Sequence, residues 1–582
     1  MTSIAPTAPA MTHKQVLQSL SGLLLGMFVS ILAGTVVSTS LPKIISELGG
    51  NQTAFTWVVT STLLATTVST PIWGKLADLF DRKLLIQLAL GIFVIGSALA
   101  GFSQDTSTLI AFRTVQGLGA GGLTALSQII MADIISPRER GRYMGLFGAV
   151  MAVGTIGGPL AGGLITDSFG WRWNFFVALP IAVVAIILLQ RTLHLAHRTT
   201  TRARIDYLGA ALIAGAVSLL LIWVSLAGSQ FEWASTTTLW MVGGGVLLLT
   251  AAIVVEFRAA DPIIPLTLFR NRTFTLSVIA SLAVGVAMFG TSVFLGQYMQ
   301  LARGATPTES GLLTLPMIVG LLLSSTIVGA LITRYGAWKR YMVIGAVLLT
   351  AGLALMGTIH YDTSYVQVAL FMLILGSGVG MVMQNLVLVV QNTVHPQQLG
   401  VASSSVAFFR SLGGAAGVAV LGALLAERVT ASMTAQQAAL QQALAALGAE
   451  GQKVAASLAS GTIPAVSSLP DGVRQIIESA YGDGIASIFL TAAPLALVSL
   501  IAIVFLPNVS LSTQTAQDRR DEVADAAIAT AGVTPTGSIA VVADDLSPED
   551  GASRIDGGAE RAPGARHAAP AGEAEPGRES GR

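Results

Sequence analysis

The chain contains fourteen apolar segments, each long enough to cross a lipid bilayer as a helix. A crossing needs about 20 mostly apolar residues. Only 11% of the 582 residues are charged, whereas soluble proteins carry about 25%. The sequence therefore predicts an all-α polytopic membrane protein with fourteen transmembrane helices. The predicted spans are residues 20–41, 54–73, 84–103, 109–131, 143–165, 174–193, 207–227, 239–257, 274–300, 310–332, 341–360, 365–390, 402–426 and 485–506.

The loops between these spans differ in charge from one side of the membrane to the other. Cytoplasmic loops carry an excess of Lys and Arg. One set of short loops holds only Lys43, Arg172 and Arg303, and the opposite set is rich in basic residues from Lys75 to Arg340. We therefore expect a plasma-membrane protein with both termini in the cytoplasm. The first apolar run is too long for a cleavable signal peptide.

Several classes of function are excluded by what the sequence lacks. There is no cysteine, which excludes disulfides, thiolate metal sites and a Cys nucleophile. The formal net charge of +1 gives no electrostatic reason to expect nucleic-acid binding. We find no G-x-x-x-x-G-K-[ST] phosphate loop, and no paired acids, metal ligands or nucleophile–base set at one membrane depth. We therefore expect no enzyme, no metal site and no cofactor.

Two long stretches lie outside the predicted spans. Residues 427–483 form an external loop rich in Ala and Gln. Leu440, Leu444 and Leu447 share one helical face, so part of this loop is either an amphipathic helix that extends the thirteenth span or a solvated spacer. Residues 512–582 are polar and rich in Ala, Gly, Pro, Glu and Arg, which predicts a disordered cytoplasmic tail.

Three glycines in the fifth span, Gly154, Gly158 and Gly162, are spaced by four residues and lie on one helix face. A face without side chains lets another helix approach at backbone distance. Pro159 removes a backbone donor and predicts a bend. This pattern suits two bodies that slide against each other, and it also suits close packing without movement. With Gly163, these residues resemble the antiporter motif in the fifth helix of exporters in the major facilitator superfamily.

The loop after the second span resembles the signature loop of the same superfamily. The matching residues are Gly74, Leu76, Asp78, Arg82 and Lys83, while Leu79 and Asp81 depart from the pattern. The resemblance implies that Asp78 faces a helix N-terminus of the other half of the protein and latches the outward-facing state. A carboxylate at a helix N-terminus is stabilising by about 0.3–1 kcal/mol, which suits a latch that must open.

Arg113 lies inside the fourth span, about one turn from its outer end. An Arg at the centre of a membrane costs about 2.5–3.5 kcal/mol, so it needs a partner or water. Arg113, Gln116 and Gly117 resemble a superfamily motif whose Arg is implicated in proton coupling. The alternative is an Arg whose side chain reaches the outer surface.

Four further segments resemble the fourteen-helix drug:proton antiporter branch of the superfamily. They are residues 171–176, 205–209, 265–269 and 408–414. The resemblance implies two six-helix bundles around a central cavity, with two extra helices between them. The expected organisation is a cytoplasmic N-terminus (1–19), a first bundle (20–193), two linker helices (194–273), a second bundle with the external loop (274–511) and the tail (512–582).

The first span lacks the acid that this branch usually carries. Ala33 occupies its place in the segment 32–42. Proton coupling needs a group that changes charge, and Arg113 does not titrate in a useful range. The proton gradient is the expected energy source, but the coupling residue stays open, and an uncoupled facilitator is an alternative.

Polar and adaptable side chains on apolar helices are the candidates for a substrate cavity. They are Thr35, Ser38, Trp57, Phe294, Gln297, Tyr298, Gln384, Asn385 and Gln391. Helix–helix hydrogen bonding or anchoring at the interface explains each of them singly. As a set they describe a mostly neutral cavity, which suits a bulky amphipathic or apolar substrate.

The resemblance implies a monomeric transporter that exports amphipathic or lipophilic small molecules, such as drugs and antibiotics, by alternating access. High Ala and Gly content favours a bacterial source. An exporter of lipid or of a cell-envelope precursor, which uses loop 427–483 to hand cargo outward, is an alternative. A non-transporting membrane sensor is an alternative of another class.

Overall fold

The computed structural model describes residues 13–48, 52–193, 206–227, 231–259, 261–305, 307–448, 451–452, 455 and 469–514. The regular secondary structure of these residues is helical, apart from one isolated bridge between Ala227 and Phe231. They belong to one compact unit, Met1–Ala524. The predicted tail from residue 515 onward lies outside the described residues.

Within the described chain, seven helices precede the linker region and form what we call the first helix group. They are α1 His13–Glu47, α2 Gln52–Leu79, α3 Arg82–Gly101, α4 Thr106–Ile134, α5 Pro137–Ser168, α6 Trp173–Phe176 and α7 Ala178–Thr192. The two linker helices are α8 Tyr207–Leu226 and α9 Thr236–Arg258.

The remaining described helices form the second helix group, which begins after a 3-10 turn at Leu266–Arg270. They are α10 Arg272–Gln297 with a π-helical turn Tyr298–Ala302, α11 Pro307–Leu313, α12 Leu315–Tyr335, α13 Trp338–Met356, α14 Tyr365–Thr393, α15 Leu399–Ala435, α16 Gln437–Ala446 and α17 Asp471–Val504. A 3-10 turn, Pro396–Gln398, leads into α15.

Twelve helices of the described chain are long and apolar enough to cross a membrane. The helices α2 and α5 have 28 and 32 residues and coincide with predicted spans, but they are not among these twelve. Many side chains of α5 lie outside the described residues. The prediction of an all-α polytopic membrane protein is confirmed. The count of fourteen crossings stays a prediction for α2 and α5.

Two predicted spans are interrupted. The sixth is divided into α6 and α7 at Val177, and the tenth is divided into α11 and α12 at Thr314. Pro316 lies in the first turn of α12, where a missing backbone N–H costs nothing because that group has no partner inside the helix. Hydropathy does not detect such breaks because both pieces are apolar.

Side-chain caps fix the start of several helices. Oδ1 of Asp81 accepts a hydrogen bond from the backbone N–H of Leu84 at 2.9 Å, at the start of α3. Asp105 does the same for Thr108 at 2.8 Å, at the start of α4. The first N–H groups of a helix have no partner within it, so a capping oxygen stabilises the helix end.

Each helix group has its own apolar core. In the first group α4 packs against α2 and α3, and α1 packs against α5 and α7. In the second group α10 packs against α15, and α14 packs against α12 and α13. The groups meet where α2 lies against α15 and where α5 lies against α12, and α8 contacts both α2 and α15.

The predicted external loop 427–483 is helical over much of its described length. The helix α15 continues past residue 427, α16 follows it, and α17 begins well before the predicted span. One face of α16 packs against Val473 and Ile477 of α17. The side chains that make this contact are Leu440, Leu444 and Leu447. The amphipathic-helix alternative is therefore confirmed for α16, and a solvated spacer is wrong for these residues.

Candidate functional site

Asp78, near the end of α2, binds the first turn of α15. Its Oδ1 accepts a hydrogen bond from the backbone N–H of Gly400 at 2.9 Å, and its Oδ2 accepts one from Val401 at 2.8 Å. The first N–H groups of a helix are unpaired and carry partial positive charge. One carboxylate therefore satisfies two of these donors and joins the first helix group to the second.

Arg82 holds this carboxylate from the other side. Its Nη2 lies 3.4 Å from Oδ1 of Asp78, and its Nη1 binds Oδ2 of Asp133 in α4. Its Nε donates to the carbonyl oxygen of Ala77 at 2.9 Å. The guanidinium is buried and is matched by two buried carboxylates. It therefore ties α2, α3 and α4 together behind the contact with α15.

Lys83 does not join this cluster. Its Nζ donates to the carbonyl oxygen of Gln190 at 2.8 Å, near the end of α7. A cation is favourable there because the last carbonyls of a helix carry partial negative charge. The structure thus brings Gly74, Asp78 and Arg82 to one corner of the molecule and places Lys83 apart from them.

Gly74 lets α2 and α15 meet at backbone distance. A Cβ on Gly74 would lie 1.8 Å from Oγ of Ser404 and 3.0 Å from the carbonyl oxygen of Gly400. A Cβ on Gly400 would in turn lie 2.5 Å from Oδ1 of Asp78. Both positions exclude larger residues while the contact exists, so the corner has no room for side chains between the helices.

The linker region is tied to the same corner. Nζ of Lys75 lies 3.9 Å from Oδ1 of Asp261, which follows α9. The buried carboxylate of Glu256 accepts hydrogen bonds from the backbone N–H groups of Ile263 and Ile264, each at 3.2 Å. Glu256 therefore fixes the turn that carries Asp261 towards α2.

The glycine face of α5 packs against α1, inside the first helix group. A Cβ on Gly154 would lie 2.8 Å from Cγ2 of Ile31, and a Cβ on Gly158 would lie 1.9 Å from Oγ1 of Thr35. A Cβ on Gly162 would lie 2.7 Å from the carbonyl oxygen of Val36. Within the described chain this face does not form the contact between the two helix groups, which α5 makes with α12.

Gly163 of the glycine motif lies off this face, as does the neighbouring Gly157. Added Cβ atoms on Gly157 and Gly163 would meet nothing within 4 Å. The side chain of Pro159 lies outside the described residues. Thr35 adds a hydrogen bond across the α1–α5 contact, because its Oγ1 donates to the carbonyl oxygen of Gly154 at 2.9 Å.

Arg113 is buried in α4 and does not reach the outer surface. Its Nη1 donates to Oε1 of Gln116 at 2.6 Å, one turn along the same helix. Its Nε has no hydrogen-bond partner among the described residues. The alternative of an Arg that extends to the outer interface is therefore wrong.

Gly117 allows α2 to lie beside this arginine. A Cβ on Gly117 would lie 2.5 Å from the carbonyl oxygen of Thr62. Oγ1 of Thr62 donates to the carbonyl oxygen of Arg113 at 3.3 Å, and Oγ1 of Thr66 donates to that of Gly117 at 3.2 Å. The three motif residues thus occupy one packed region between α2 and α4.

The described cavity candidates differ in burial and in the contacts that they make. Phe294, Tyr298, Asn385 and Gln391 are buried. The phenolic O–H of Tyr298 donates to the carbonyl oxygen of His360 at 2.7 Å. Asn385 donates within its own helix to the carbonyl oxygen of Met381 at 2.6 Å. Tyr298 is thereby bonded to the connection between α13 and α14, and Asn385 is bonded within α14.

Gln391 lies at the contact between the helix groups. Its Nε2 donates to Oγ of Ser403 at 2.8 Å and approaches the carbonyl oxygen of Gln128 in α4 at 3.4 Å. It therefore belongs with the α2–α15 corner rather than with a cavity.

The remaining cavity candidates differ in exposure. Gln297 is exposed, and Trp57 and Gln384 are half-buried. The side chain of Ser38 lies outside the described residues. Gln297, Trp57 and Gln384 are therefore the described candidates that keep accessible surface and make no described contact between helices.

Sequence reasoning missed one charged side chain inside the membrane region. Arg410 lies in α15, well inside the predicted span 402–426, and its side chain is buried. In the sequence it stands within the segment 408–414, which resembles the drug:proton antiporter branch. The available signal was an Arg eight residues from the start of an apolar span, the same signal that singled out Arg113.

The comparisons with known proteins agree with this architecture. The sequence profile of the Major Facilitator Superfamily matches residues 23–418. Multidrug transporter protein MdtP of Bacillus subtilis (strain 168) is 34% identical over 522 residues, covering 86% of this chain and 95% of that protein. Multidrug resistance protein 3 of the same strain is 30% identical over 501 residues, covering 84% and 95%.

A solved structure shares the fold. The proton:xylose symporter XylE, bound to 6-bromo-6-deoxy-D-glucose, has a TM-score of 0.56 at 14% identity, covering 88% of this chain and 100% of that chain. The helices, the family profile and the relatives converge on one assignment. The chain belongs to the major facilitator superfamily and is a multi-pass membrane transporter, not an enzyme.

Proposed function

We propose that this transporter exports amphipathic or lipophilic small molecules across the plasma membrane by alternating access. The observation that carries the proposal is the contact of Asp78 with the N-terminus of α15. It joins the two helix groups through one carboxylate at a single corner. A link of this kind is strong enough to hold a closed state and weak enough to release it.

In this mechanism the corner of Asp78 is the cytoplasmic gate. When it is closed, Arg82 holds Asp78 in place, and Gly74 and Gly400 let the helices touch. When it opens, α15 loses two hydrogen bonds to the first helix group, and the groups separate at their cytoplasmic ends. The orientation with both termini in the cytoplasm, and the division into bundles 20–193 and 274–511, are parts of the same proposal.

The substrate class is supported by the relatives that carry multidrug names. A transporter of many drugs needs adaptable, mostly apolar surfaces with few polar groups. Trp57, Gln297 and Gln384 are the described candidates that retain accessible surface. We assign them to substrate contact, with the monomer as the transporting unit.

The energy source in this proposal is the proton gradient. Arg113 is buried, and its Nε has no hydrogen-bond partner in the part of the chain that is described. The guanidinium therefore interacts with any charge that comes near it. We assign Arg113 to coupling together with a peripheral acid, since Ala33 replaces the usual one in the first span. A facilitator without coupling is the alternative that the same experiment tests.

The test is transport in proteoliposomes with a panel of amphipathic dyes: one anionic, one uncharged and ethidium as the cation. Wild type is compared with empty liposomes, with and without an imposed pH gradient. We expect movement of at least one dye that the gradient accelerates and that Arg113→Ala uncouples from the gradient. Movement indifferent to the gradient would identify a facilitator. If no dye moves, the export proposal is wrong.

A further inference from the structure

Two arginines are the fixed charges that lie well inside the predicted spans. They are Arg113 in the fourth span and Arg410 in the thirteenth. The acid within the bounds of a predicted span, Glu256, stands at the cytoplasmic end of α9, where it binds two backbone N–H groups. The interior of the transporter therefore carries positive charge without a matching negative charge at the same depth.

Arg410 lies near the middle of the bilayer. Gly400 marks the cytoplasmic end of α15 through its bond to Asp78. Arg410 is ten residues further along a continuous helix, which corresponds to about 15 Å. The hydrocarbon core is about 30 Å thick, so this guanidinium is far from both headgroup regions and cannot reach lipid phosphates.

The side chain of Arg410 is 5% exposed, and its Nη1 has no hydrogen-bond partner among the described residues. The described ion pairs likewise include none with Arg410. An arginine at the bilayer centre is costly unless it is paired or hydrated. A buried charge of this kind usually marks a site where a partner binds.

The neighbouring face of α10 is polar and is also unsatisfied. The α10 backbone touches α15 at the level of Arg410, because a Cβ on Gly285 would lie 2.0 Å from the Arg410 carbonyl oxygen. Ser277 and Ser281 precede Gly285 at helical spacing, and both hydroxyls are buried without a hydrogen-bond partner in the described structure. Hydroxyl donors and a guanidinium are the groups that bind carboxylates, sulfonates and phosphates.

Arg113 differs from Arg410 because its Nη1 has a hydrogen-bond partner. Gln116 accepts a bond from its Nη1 at 2.6 Å. The side chain of Arg113 is also nearer to the outer end of its helix. Arg410 is therefore the better candidate for binding a ligand in the middle of the membrane.

We propose that Arg410 binds the anionic group of the transported molecule, so that the preferred substrates are amphipathic organic anions rather than lipophilic cations. The proposal rests on the proposed export function and specifies its substrate class. A guanidinium in a medium of low dielectric constant attracts an anion and repels a cation strongly. A planar carboxylate or a sulfonate forms two hydrogen bonds with it.

The first experiment compares three dyes on the wild-type protein in proteoliposomes. Anilinonaphthalene sulfonate and its uncharged parent phenylnaphthylamine share the aromatic body and differ by the anionic group, and ethidium supplies the cation. We expect protein-dependent transport to favour the sulfonate over both other dyes. If ethidium or the parent moves as fast as the sulfonate, the anion proposal is overturned while the export proposal stands. If no dye moves, the export proposal fails and this inference fails with it.

The second experiment uses variants of one helix. Arg410→Gln should reduce the ratio of sulfonate to parent transport about tenfold, the scale of one charge-assisted hydrogen bond. Arg410→Lys keeps the charge and should retain part of the preference. Arg428→Gln is the matched control, since Arg428 is exposed on α15 and its loss removes the same charge. An unchanged ratio in Arg410→Gln would overturn the proposal.

Two further outcomes are covered by the same design. If Arg410→Gln does not fold, the proposal is tested by the wild-type preference for the sulfonate and by Arg410→Lys. Lysine lacks the planar fork, so this variant should lower the ratio of sulfonate to parent transport. An inorganic anion such as chloride could instead be the ligand. In that case replacement of chloride by gluconate would change the transport of the sulfonate and of its uncharged parent equally. That result would contradict binding of the substrate's anionic group by Arg410.

Discussion

Oδ1 of Asp78 accepts a hydrogen bond from the backbone N–H of Gly400 at 2.9 Å, although the two residues lie 322 positions apart in the chain. The contact depends on negative charge, because it faces the positive end of a helix. It also depends on two acceptor oxygens, since Val401 binds the second one. A change that removes either property weakens the closed corner.

We expect Asp78→Asn to open the corner between α2 and α15. The amide has one acceptor oxygen and no charge, so the closed state loses about 1–2 kcal/mol, or about a tenfold change in population. The chain has no cysteine, so a single Ser404→Cys substitution at the buried contact reports opening through its reaction with a maleimide. Asp81→Asn is the control, because Asn caps α3 as well as Asp does. Equal labelling rates in the two variants would contradict the latch.

Asp133→Asn should destabilise the folded protein more than it changes transport. Arg82 is buried and binds Asp133, Asp78 and the Ala77 carbonyl. Removal of one partner of a buried ion pair costs about 3–5 kcal/mol of folding stability. We expect the lower figure here, because Arg82 keeps Asp78 and the Ala77 carbonyl as partners. The measurement is the thermal unfolding temperature in detergent, followed by tryptophan fluorescence. Asp105→Asn, at the other end of α4, keeps its cap and should leave this temperature unchanged. Equal thermal unfolding temperatures in Asp133→Asn and Asp105→Asn would show that Asp133 does not stabilise the buried Arg82.

Gly158→Ala should disrupt the contact between α1 and α5. The new Cβ would lie 1.9 Å from Oγ1 of Thr35 and 2.5 Å from its Cβ, so the helices must move apart. Overpacking of this kind costs about 1–3 kcal/mol. Gly157→Ala, one residue away, meets nothing within 4 Å and is the matched control. Alanine raises helix propensity at both positions, so only the contact can lower the thermal unfolding temperature of Gly158→Ala below that of Gly157→Ala. Equal thermal unfolding temperatures in the two variants would show that the contact does not exclude a side chain at Gly158.

Leu444→Ser should release α16 from α17 without loss of transport. Leu444 packs in the small apolar cluster with Val473 and Ile477, and a serine there removes the apolar contact. We expect faster limited proteolysis between α15 and α17, while Gln441→Ser on the exposed face should change nothing. Loss of transport in Leu444→Ser would instead favour the lipid-exporter alternative, in which this external segment hands cargo outward.

Much of the architecture could be predicted because the bilayer restricts it. Apolar length gave the spans, and the glycine spacing at Gly154, Gly158 and Gly162 correctly indicated one closely packed face. The sequence did not reveal which helix that face meets. A face without side chains accepts any neighbour, and the structure places α1 there rather than the other helix group.

The cavity was predicted less well. Thr35, Tyr298 and Gln391 are polar residues on apolar helices, which is all that the sequence shows. Each one instead donates a hydrogen bond to another segment of the chain: Thr35 to α5, Tyr298 to the connection between α13 and α14, and Gln391 to α15. Whether a polar side chain faces a cavity or a neighbouring helix depends on packing between distant segments, and a single sequence does not encode that choice locally.

The helix α17 begins at Asp471, so it projects about 20 Å beyond its predicted span, and α16 braces it. A protein that is mostly embedded in lipid offers few features for image alignment in single-particle microscopy. A nanobody raised against this braced projection would add rigid mass on the side of the molecule away from Asp78. This projection, which lies in the region predicted as the loop 427–483, thereby allows the transporter to be imaged in each of its states.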